Sequence, residues 1–167
     1  MDSYLERLQQ ELEQAIAGTN AGGLESGPEG KWTSAQILEH LFLTYQGTNR
    51  GIVKCLEKGS SLATKGTFMD RLRTFAVVNE GYFPTGRKAP ERAVPKGMPA
   101  EEVRRAIFIE LCQMDAGLSE CQRRYGAKTR IMDHPILGPL NVQQWRKFHW
   151  VHGRHHARQI RKRLGKS

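Results

Sequence analysis

The chain has 167 residues, and its 26 lysines and arginines outnumber its 17 aspartates and glutamates, which gives a net charge of +9. This length is enough for one domain, residues 1–167, to bury a core without disulfides. No apolar run is long enough for a membrane helix, and no charged-then-apolar leader opens the chain. We therefore expect a cytoplasmic protein with no membrane partner.

The cysteines and the positive charge do not point to a specialised class. The cysteines form an odd set without a Cys-x-x-Cys motif, as is typical of free thiols in a reducing cytoplasm: Cys55, Cys112 and Cys121. The net positive charge is compatible with nucleic-acid binding. No nucleic-acid-binding motif accompanies it, however, so we predict no nucleic-acid partner. Cations at the C-terminus favour the negative end of a helix dipole: Arg154, Arg158, Arg161, Lys162, Arg163 and Lys166.

The first predicted helix opens with a capping box formed by Ser3 and Glu6, and Gly18 ends it. Its apolar residues recur at helical spacing: Leu5, Leu8, Leu12, Ala15 and Ile16. Residues 19–30 contain glycine, serine and proline, which predicts a linker.

The second predicted helix runs from Thr33 to about Lys58, with Gly59 after its end. Thr33 and Gln36 form a capping box that defines its start. Two glycines interrupt this helix, and we attribute them to close approach by a neighbouring helix or loop: Gly47 and Gly51.

A connection of about 40 residues follows, longer than most loops in compact domains. It contains a short predicted amphipathic helix, marked by Phe68, Leu72, Phe75 and Ala76. The segment Tyr82–Gly97 holds three prolines and two glycines, which exclude regular structure. We interpret Tyr82–Gly97 as an ordered flap.

The third predicted helix covers about Ala100–Tyr125 and ends at Gly126. The last covers about Val142–Leu164, with Asn141 as N-cap and Gln144 completing a capping box. No stretch has a convincing strand pattern, so we predict an all-α four-helix bundle. The long crossover lets helices two and three run parallel, which gives an up-down-down-up order.

The last helix carries clustered histidines. His152 and His156 lie four residues apart, so their imidazoles can point at one spot, as a divalent metal requires. His149 lies on the same side, whereas His155 lies about 60° away and competes for the role. Such histidines are often surface or core residues instead. Aromatic residues, however, mark this face as buried: Trp145 and Phe148.

A third ligand must come from another part of the chain, and His40 is the natural candidate. It lies in the second turn of helix two among apolar residues at helical spacing. A lone histidine there would more often be a core residue, but beside a two-histidine helix it completes a metal site. His134 precedes a proline in a loop and is the poorer candidate.

Four segments share their pattern with a known family. They are Trp32-x4-Ile-Leu-Glu-His-Leu41, His134-Pro-x2-Gly-x-Leu140, Gln144-Trp145 and His152-x2-His-His-x2-Gln-Ile160. Together they resemble the DinB-like superfamily, which comprises four-helix bundles of metal-dependent enzymes. The resemblance covers most of the chain up to Ile160. It implies the up-down-down-up order, a homodimer, and a metal ion held by His40, His152 and His156.

The resemblance and the three imidazoles predict a metal-dependent enzyme that acts on a small molecule. Three protein ligands leave an open position on the metal. Zinc and nickel are the leading candidates, followed by iron and manganese. The enzyme is then a hydrolase or a thiol-dependent S-transferase with a low-molecular-weight thiol as partner. The alternative is a non-catalytic metal-binding bundle whose basic surface binds an acidic partner.

Other polar residues are candidates for supporting roles. Gln159 lies two turns beyond the first histidine of the pair, and it and His155 are candidates to support the ligands or contact substrate. Asp133 is a candidate general base, although a turn-forming aspartate is the simpler interpretation. Glu39 points about 100° away from His40 and is predicted to be a surface or helix-pairing residue.

The flap is the candidate cover for the metal site, because water would otherwise compete with the substrate for the ion. Arg87, Lys88 and Arg92 carry positive charge that would hold a substrate carboxylate. The alternative is a surface loop whose basic residues are only solvated.

Overall fold

The computed structural model describes residues 1–81 and 88–166, and most of these residues are helical. The described α-helices are α1 (Ser3–Ile16), α2 (Ala21–Glu25), α3 (Ser34–Lys58), α4 (Phe68–Thr74), α5 (Ala100–Tyr125) and α6 (Val142–Arg163). A π-helical turn, Phe75–Asn79, continues α4, and a 3-10 turn covers Glu91–Ala93. The predicted helical class is confirmed. Over these two stretches, no helix combines the length and the apolar character needed to cross a membrane.

An antiparallel hairpin, β1 (Arg130–His134) and β2 (Gly138–Asn141), precedes α6. The prediction of no strand is therefore wrong. The strands have only five and four residues, and Pro139 lies inside the second, so no clear alternation of apolar and polar residues is visible. The hairpin contributes buried side chains to the core: Ile131, Met132, Leu137 and Leu140. The predicted linker 19–30 likewise contains a helix, α2.

The predicted starts of α3 and α6 are confirmed. Thr33 Oγ1 accepts the N–H of Gln36 at 3.2 Å, and Gln36 Oε1 accepts the N–H of Thr33 at 2.9 Å. Asn141 and Gln144 form the same reciprocal pair before α6, at 2.9 and 3.0 Å. These bonds satisfy N–H groups that a helix leaves without partners, so the first residue of each helix is well defined.

The start of α1 differs from the prediction by one residue. Ser3 is already helical, and Asp2 is the N-cap, whose carboxylate accepts the N–H of Tyr4 at 2.9 Å. The N–H of Asp2 donates to Asp115 Oδ1 at 3.1 Å, which attaches this end of α1 to α5. The predicted capping box of Ser3 and Glu6 is therefore wrong.

The residues of α3 and α5 that contact each other follow the same order along both helices. Asn49 Nδ2 donates to the carbonyl of Glu110 at 3.0 Å. Nearer the C-terminal end of both helices, Tyr125 Oη donates to the carbonyl of Cys55 at 3.0 Å. The two helices therefore run in the same direction along this interface.

The residues of α1 and α6 that contact each other also follow the same order along both helices. Arg146, near the start of α6, lies 3.7 Å from the carboxylate of Asp2. Arg161, near its end, pairs with Glu11 at 2.8 Å. The pair α1 and α6 is therefore also parallel, and the apolar faces of both helix pairs meet in one core.

Glycines in the long helices have different surroundings. At Gly51 a Cβ would lie 2.7 Å from Met132 Sδ of β1, so the predicted close approach is present. At Gly47 no described neighbour lies within 4 Å, so the same prediction is wrong there. Gly153 of α6 faces α1, and an added Cβ would overlap the side chain of Leu8. The close contact of α1 with α6 therefore requires glycine at position 153.

The predicted short amphipathic helix is present as α4, but its apolar side faces outward. Phe68, Leu72 and Phe75 are 77%, 51% and 53% exposed. Thr74, on the opposite side, is buried and donates to the carbonyl of Leu137 at 3.0 Å. Polar contacts therefore attach α4 to the hairpin.

Candidate metal centre

Two helices bring three histidine side chains together in the core. His40 lies in the second turn of α3, and His152 and His156 lie one turn apart on α6. The Nε2 atom of His152 lies 3.4 Å from that of His40 and 3.1 Å from that of His156. All three residues are buried.

The separation of these nitrogens suits a single ion. One ligand atom from each histidine lies within 4.8 Å of the other two. Metal–nitrogen bonds of about 2.0–2.1 Å in a tetrahedral site place two ligand nitrogens about 3.3–3.4 Å apart. The observed separations of 3.1 and 3.4 Å are close to that value. The three histidines therefore lie close enough together to bind a metal ion.

In His40 and His156, the ring nitrogen that faces away from the cluster, Nδ1, forms a hydrogen bond. The Nδ1–H of His40 donates to the carbonyl of Ala93 at 2.7 Å, since a carbonyl can only accept. The Nδ1–H of His156 donates to Gln159 Oε1 at 2.8 Å. A neutral imidazole with Nδ1 protonated carries its lone pair on Nε2. Both lone pairs point into the cluster, where a cation would relieve their repulsion, so the donor set fits a divalent ion.

Gln159 connects the ligand His156 to the neighbouring His155. Its Nε2 donates to His155 Nε2 at 3.0 Å, while its Oε1 accepts from His156. His155 is absent from the group of converging ligand atoms among the described residues. The structure therefore places His155 behind the predicted ligands, and it places Gln159 against His156.

Burial lowers the pKa of all three clustered histidines. Desolvation is the largest cause in each case. It lowers the pKa of His156 to about 3, and it holds the pKa of His152 well below its ordinary value, aided by the neighbouring histidines. The pKa of His40 is also lowered, although its bond to Ala93 opposes the shift. The rings are therefore neutral at pH 7, the form that binds metal.

Glu39 differs from the prediction of a surface or helix-pairing residue. Its side chain is buried, and its carboxylate accepts the N–H groups of Lys96, Gly97 and Met98 at 2.7, 3.0 and 3.0 Å. The reason is tertiary, because the chain after the 3-10 turn folds back over α3. The donors lie 57 to 59 residues further along the chain, beyond the reach of helical spacing.

The flap contacts α3 in its described part, residues 88–97, whose Ala93 carbonyl binds the α3 ligand. Lys88 and Arg92 are exposed. Burial lowers the pKa of His134, and the positive charge of Arg92 adds to that shift. Arg87, together with the rest of Tyr82–Arg87, lies outside the described residues.

The other two candidate histidines have structural partners. His134 Nδ1 accepts the N–H groups of Ile136 and Leu137, both at 3.2 Å, and burial lowers its pKa to about 4. His149 is hydrogen-bonded to Thr48 Oγ1 at 3.1 Å, and burial lowers its pKa to about 3. These two histidines stabilise the hairpin and the contact between α3 and α6.

The candidate general base, Asp133, lies elsewhere. It is exposed on β1, and its carboxylate accepts the N–H of Thr64 at 3.0 Å. Asp133 therefore attaches the segment after α3 to the hairpin, and it lies within β1 and not in the turn that the simpler interpretation predicted. Sequence reasoning missed Ala93 and assigned Glu39 to another role, because both act through contacts that form only in the folded chain.

Comparison with known proteins gives one match. Residues 5–163 match the family described as Protein of unknown function (DUF1569). The match covers nearly the whole chain, and the chain belongs to this family. Searches of curated proteins and of solved structures gave no match. The family description does not name the DinB-like superfamily, so that resemblance stays a prediction.

Proposed function

We propose that this protein is a metal-dependent enzyme whose divalent ion is held by His40, His152 and His156. The observation that carries the proposal is the convergence of three neutral imidazole nitrogens within 4.8 Å. In the part of the chain that is described, no cysteine or carboxylate joins this group. Three protein ligands with an open position are typical of catalytic sites, whereas structural sites are closed by four.

Imidazole ligands favour zinc or nickel, with iron and manganese as further candidates. When bound, zinc lowers the pKa of a neighbouring water molecule to about 7, and it can deprotonate a thiol outright. Burial keeps the ligands neutral, and hydrogen bonds to Ala93 and Gln159 hold the rings of His40 and His156 in the required orientation. Aromatic rings shield two of the ligands from water. The ring centroids of Trp32 and His40 are 5.3 Å apart, and the Phe148 ring is stacked on the His152 ring with 5.4 Å between their centroids.

The substrate we propose is a small molecule, attacked by water in a hydrolase or by a low-molecular-weight thiol in an S-transferase. A thiol ionises near pH 8.5 even without a metal, so it needs less help from a general base than water does. No carboxylate is found in the described ligand group, so none of the described metal ligands can serve as that general base. Lys88 and Arg92 of the flap are exposed and offer positive charge to a substrate carboxylate.

We also propose the DinB-like four-helix bundle with up-down-down-up order, formed by one domain over residues 1–167. The parallel pairs α3 with α5 and α1 with α6 support this order. Contacts between α3 and α6 run the other way, because His40 meets His152 and His156 while the later Thr48 meets His149.

The resemblance also supports a homodimer, and the free cysteines favour a reducing cytoplasm, so we propose a cytoplasmic homodimer without a nucleic-acid or membrane partner. Light scattering should then give the mass of two chains at concentrations well above micromolar. The mass of one chain would contradict the dimer.

Metal content and two probe reactions test the proposed function. Protein purified without a histidine tag should contain one divalent ion per chain, and His156→Ala should contain none. The loaded protein should hydrolyse nitrophenyl acetate or conjugate glutathione with chlorodinitrobenzene, and His156→Ala should do neither. A wild-type protein that cannot bind metal would contradict the proposal. Stoichiometric metal without turnover of either probe is the result expected of a non-catalytic bundle.

A further inference from the structure

The residue before the α3 ligand is a buried acid with unusual partners. Glu39 is only 3% exposed, and no other acidic residue is buried among those described. It forms no described ion pair with lysine or arginine, and its carboxylate accepts three consecutive backbone N–H groups from residues 96–98. Burying a carboxylate is unfavourable unless its hydrogen bonds are satisfied. The path of residues 96–98 is therefore closely tied to Glu39.

The same loop provides the partner of the neighbouring ligand. The carbonyl of Ala93 lies three residues before Lys96 and accepts the Nδ1–H of His40 at 2.7 Å. Adjacent residues of α3 thus hold the loop at two points, Glu39 at residues 96–98 and His40 at Ala93. Because only two residues separate Ala93 from Lys96, the position of the Ala93 carbonyl depends on the bonds that Glu39 makes.

We propose that Glu39 is a positioning residue for the metal centre, and this inference rests on the proposed metal function. It acts through the loop, which keeps the Ala93 carbonyl against His40 Nδ1. That carbonyl fixes the His40 tautomer and leaves the Nε2 lone pair for the ion. Outer partners of this kind typically change metal affinity by about 10–100-fold.

The test compares Glu39→Ala with a matched variant, Glu110→Ala. Glu110 is a half-buried carboxylate that likewise accepts N–H groups, in its case from the side chains of Asn49 at 2.6 Å and Gln46 at 3.3 Å. It binds α3 to α5 and forms no described hydrogen bond with the loop. Glu39→Gln is the conservative variant. Its amide oxygen still accepts backbone N–H groups, while its NH2 group is a donor that faces another donor, one backbone N–H. It also keeps the test valid if Glu39→Ala does not fold.

The first measurement is NMR of isotope-labelled ring nitrogens in the metal-free protein. The wild type and Glu110→Ala should show His40 with its proton on Nδ1, whereas Glu39→Ala should show a mixture of tautomers. A His40 tautomer unchanged in both Glu39 variants would overturn the positioning role. This result does not depend on metal binding, so it is separate from the proposed function.

The second measurement is binding of Co²⁺, followed by visible absorption. Glu39→Ala should bind at least about tenfold more weakly than the wild type, with an altered spectrum, and Glu39→Gln should fall between them. Glu110→Ala should match the wild type, and an equal loss in that variant would reduce Glu39 to a general structural role. If the wild type binds no Co²⁺, the proposed function fails, and the tautomer measurement alone decides the inference.

Discussion

The two sides of the histidine cluster are supported in different ways. On α6, Gln159 lies three residues after the ligand it binds, and His155 completes the same hydrogen-bonded chain. On α3, His40 takes its partner from Ala93, 53 residues further along the chain, and Glu39 anchors that loop. The α6 side therefore forms with its helix, whereas the α3 side forms only when the chain has folded back over α3. Changes in α6 should act locally, and changes in the loop should act at a distance.

Loss of a ligand from either side should have the largest effect. His40→Ala and His156→Ala should each abolish stoichiometric metal binding, because two imidazoles alone would remain. His155→Ala should leave binding largely intact, because a ring nitrogen of His155 bonds Gln159 and His155 is not among the described converging ligands. Metal content per chain after gel filtration measures all three. If His155→Ala empties the site while His156→Ala keeps its metal, the ligand assignment is wrong.

Loss of the local support on α6 should have an intermediate effect. Gln159→Leu removes the acceptor of His156 Nδ1–H, so metal affinity should fall by about 10–100-fold. Gln143→Leu is the matched control, because this glutamine is exposed on the same helix. A competition titration against a chelator measures both affinities. Equal affinities would show that the α6 side does not need this hydrogen bond.

Strain in the loop on the α3 side should have the smallest effect. Gly97 has φ of +91° and no described neighbour within 4 Å of an added Cβ, so Gly97→Val introduces backbone strain while its Cβ lies in open space. The strain is worth about 1–2 kcal/mol, and we expect metal affinity to fall by less than tenfold. Gly165→Val is the control, with φ of +65° and equally open surroundings near the C-terminus. If both variants bind metal equally, the loop is not coupled to the site.

The ligand positions on α6 and α3 could be predicted from the sequence, whereas the loop contacts on the α3 side could not. Helical spacing relates His152 to His156 without any knowledge of the fold, and His40 followed because it stands on the other well-capped helix. Helical spacing also gave the direction of Glu39 relative to its own helix. It could not show that a distant loop covers that direction, because no local pattern encodes the contact.

For the fold, the long helices could be predicted from the sequence, but the hairpin and the orientation of α4 could not. The long helices have periodic apolar residues, and α3 and α6 also have capping boxes, so the predicted limits agree with the structure to within about a residue. The hairpin is too short to show a period of two, and Pro139 obscures it further. For α4, apolar spacing predicted the helix but not its orientation, because the buried Thr74 and not the apolar side faces the hairpin.

The hairpin holds no predicted ligand, yet it determines the direction in which the ligands of α6 face. Asn141 is both the last residue of β2 and the N-cap of α6, so no spacer separates strand from helix. The angular phase of α6 about its own axis is therefore set by the strand. One residue inserted at this junction would rotate every α6 side chain by about 100°. Both histidines would then turn away from His40, although no ligand had been changed.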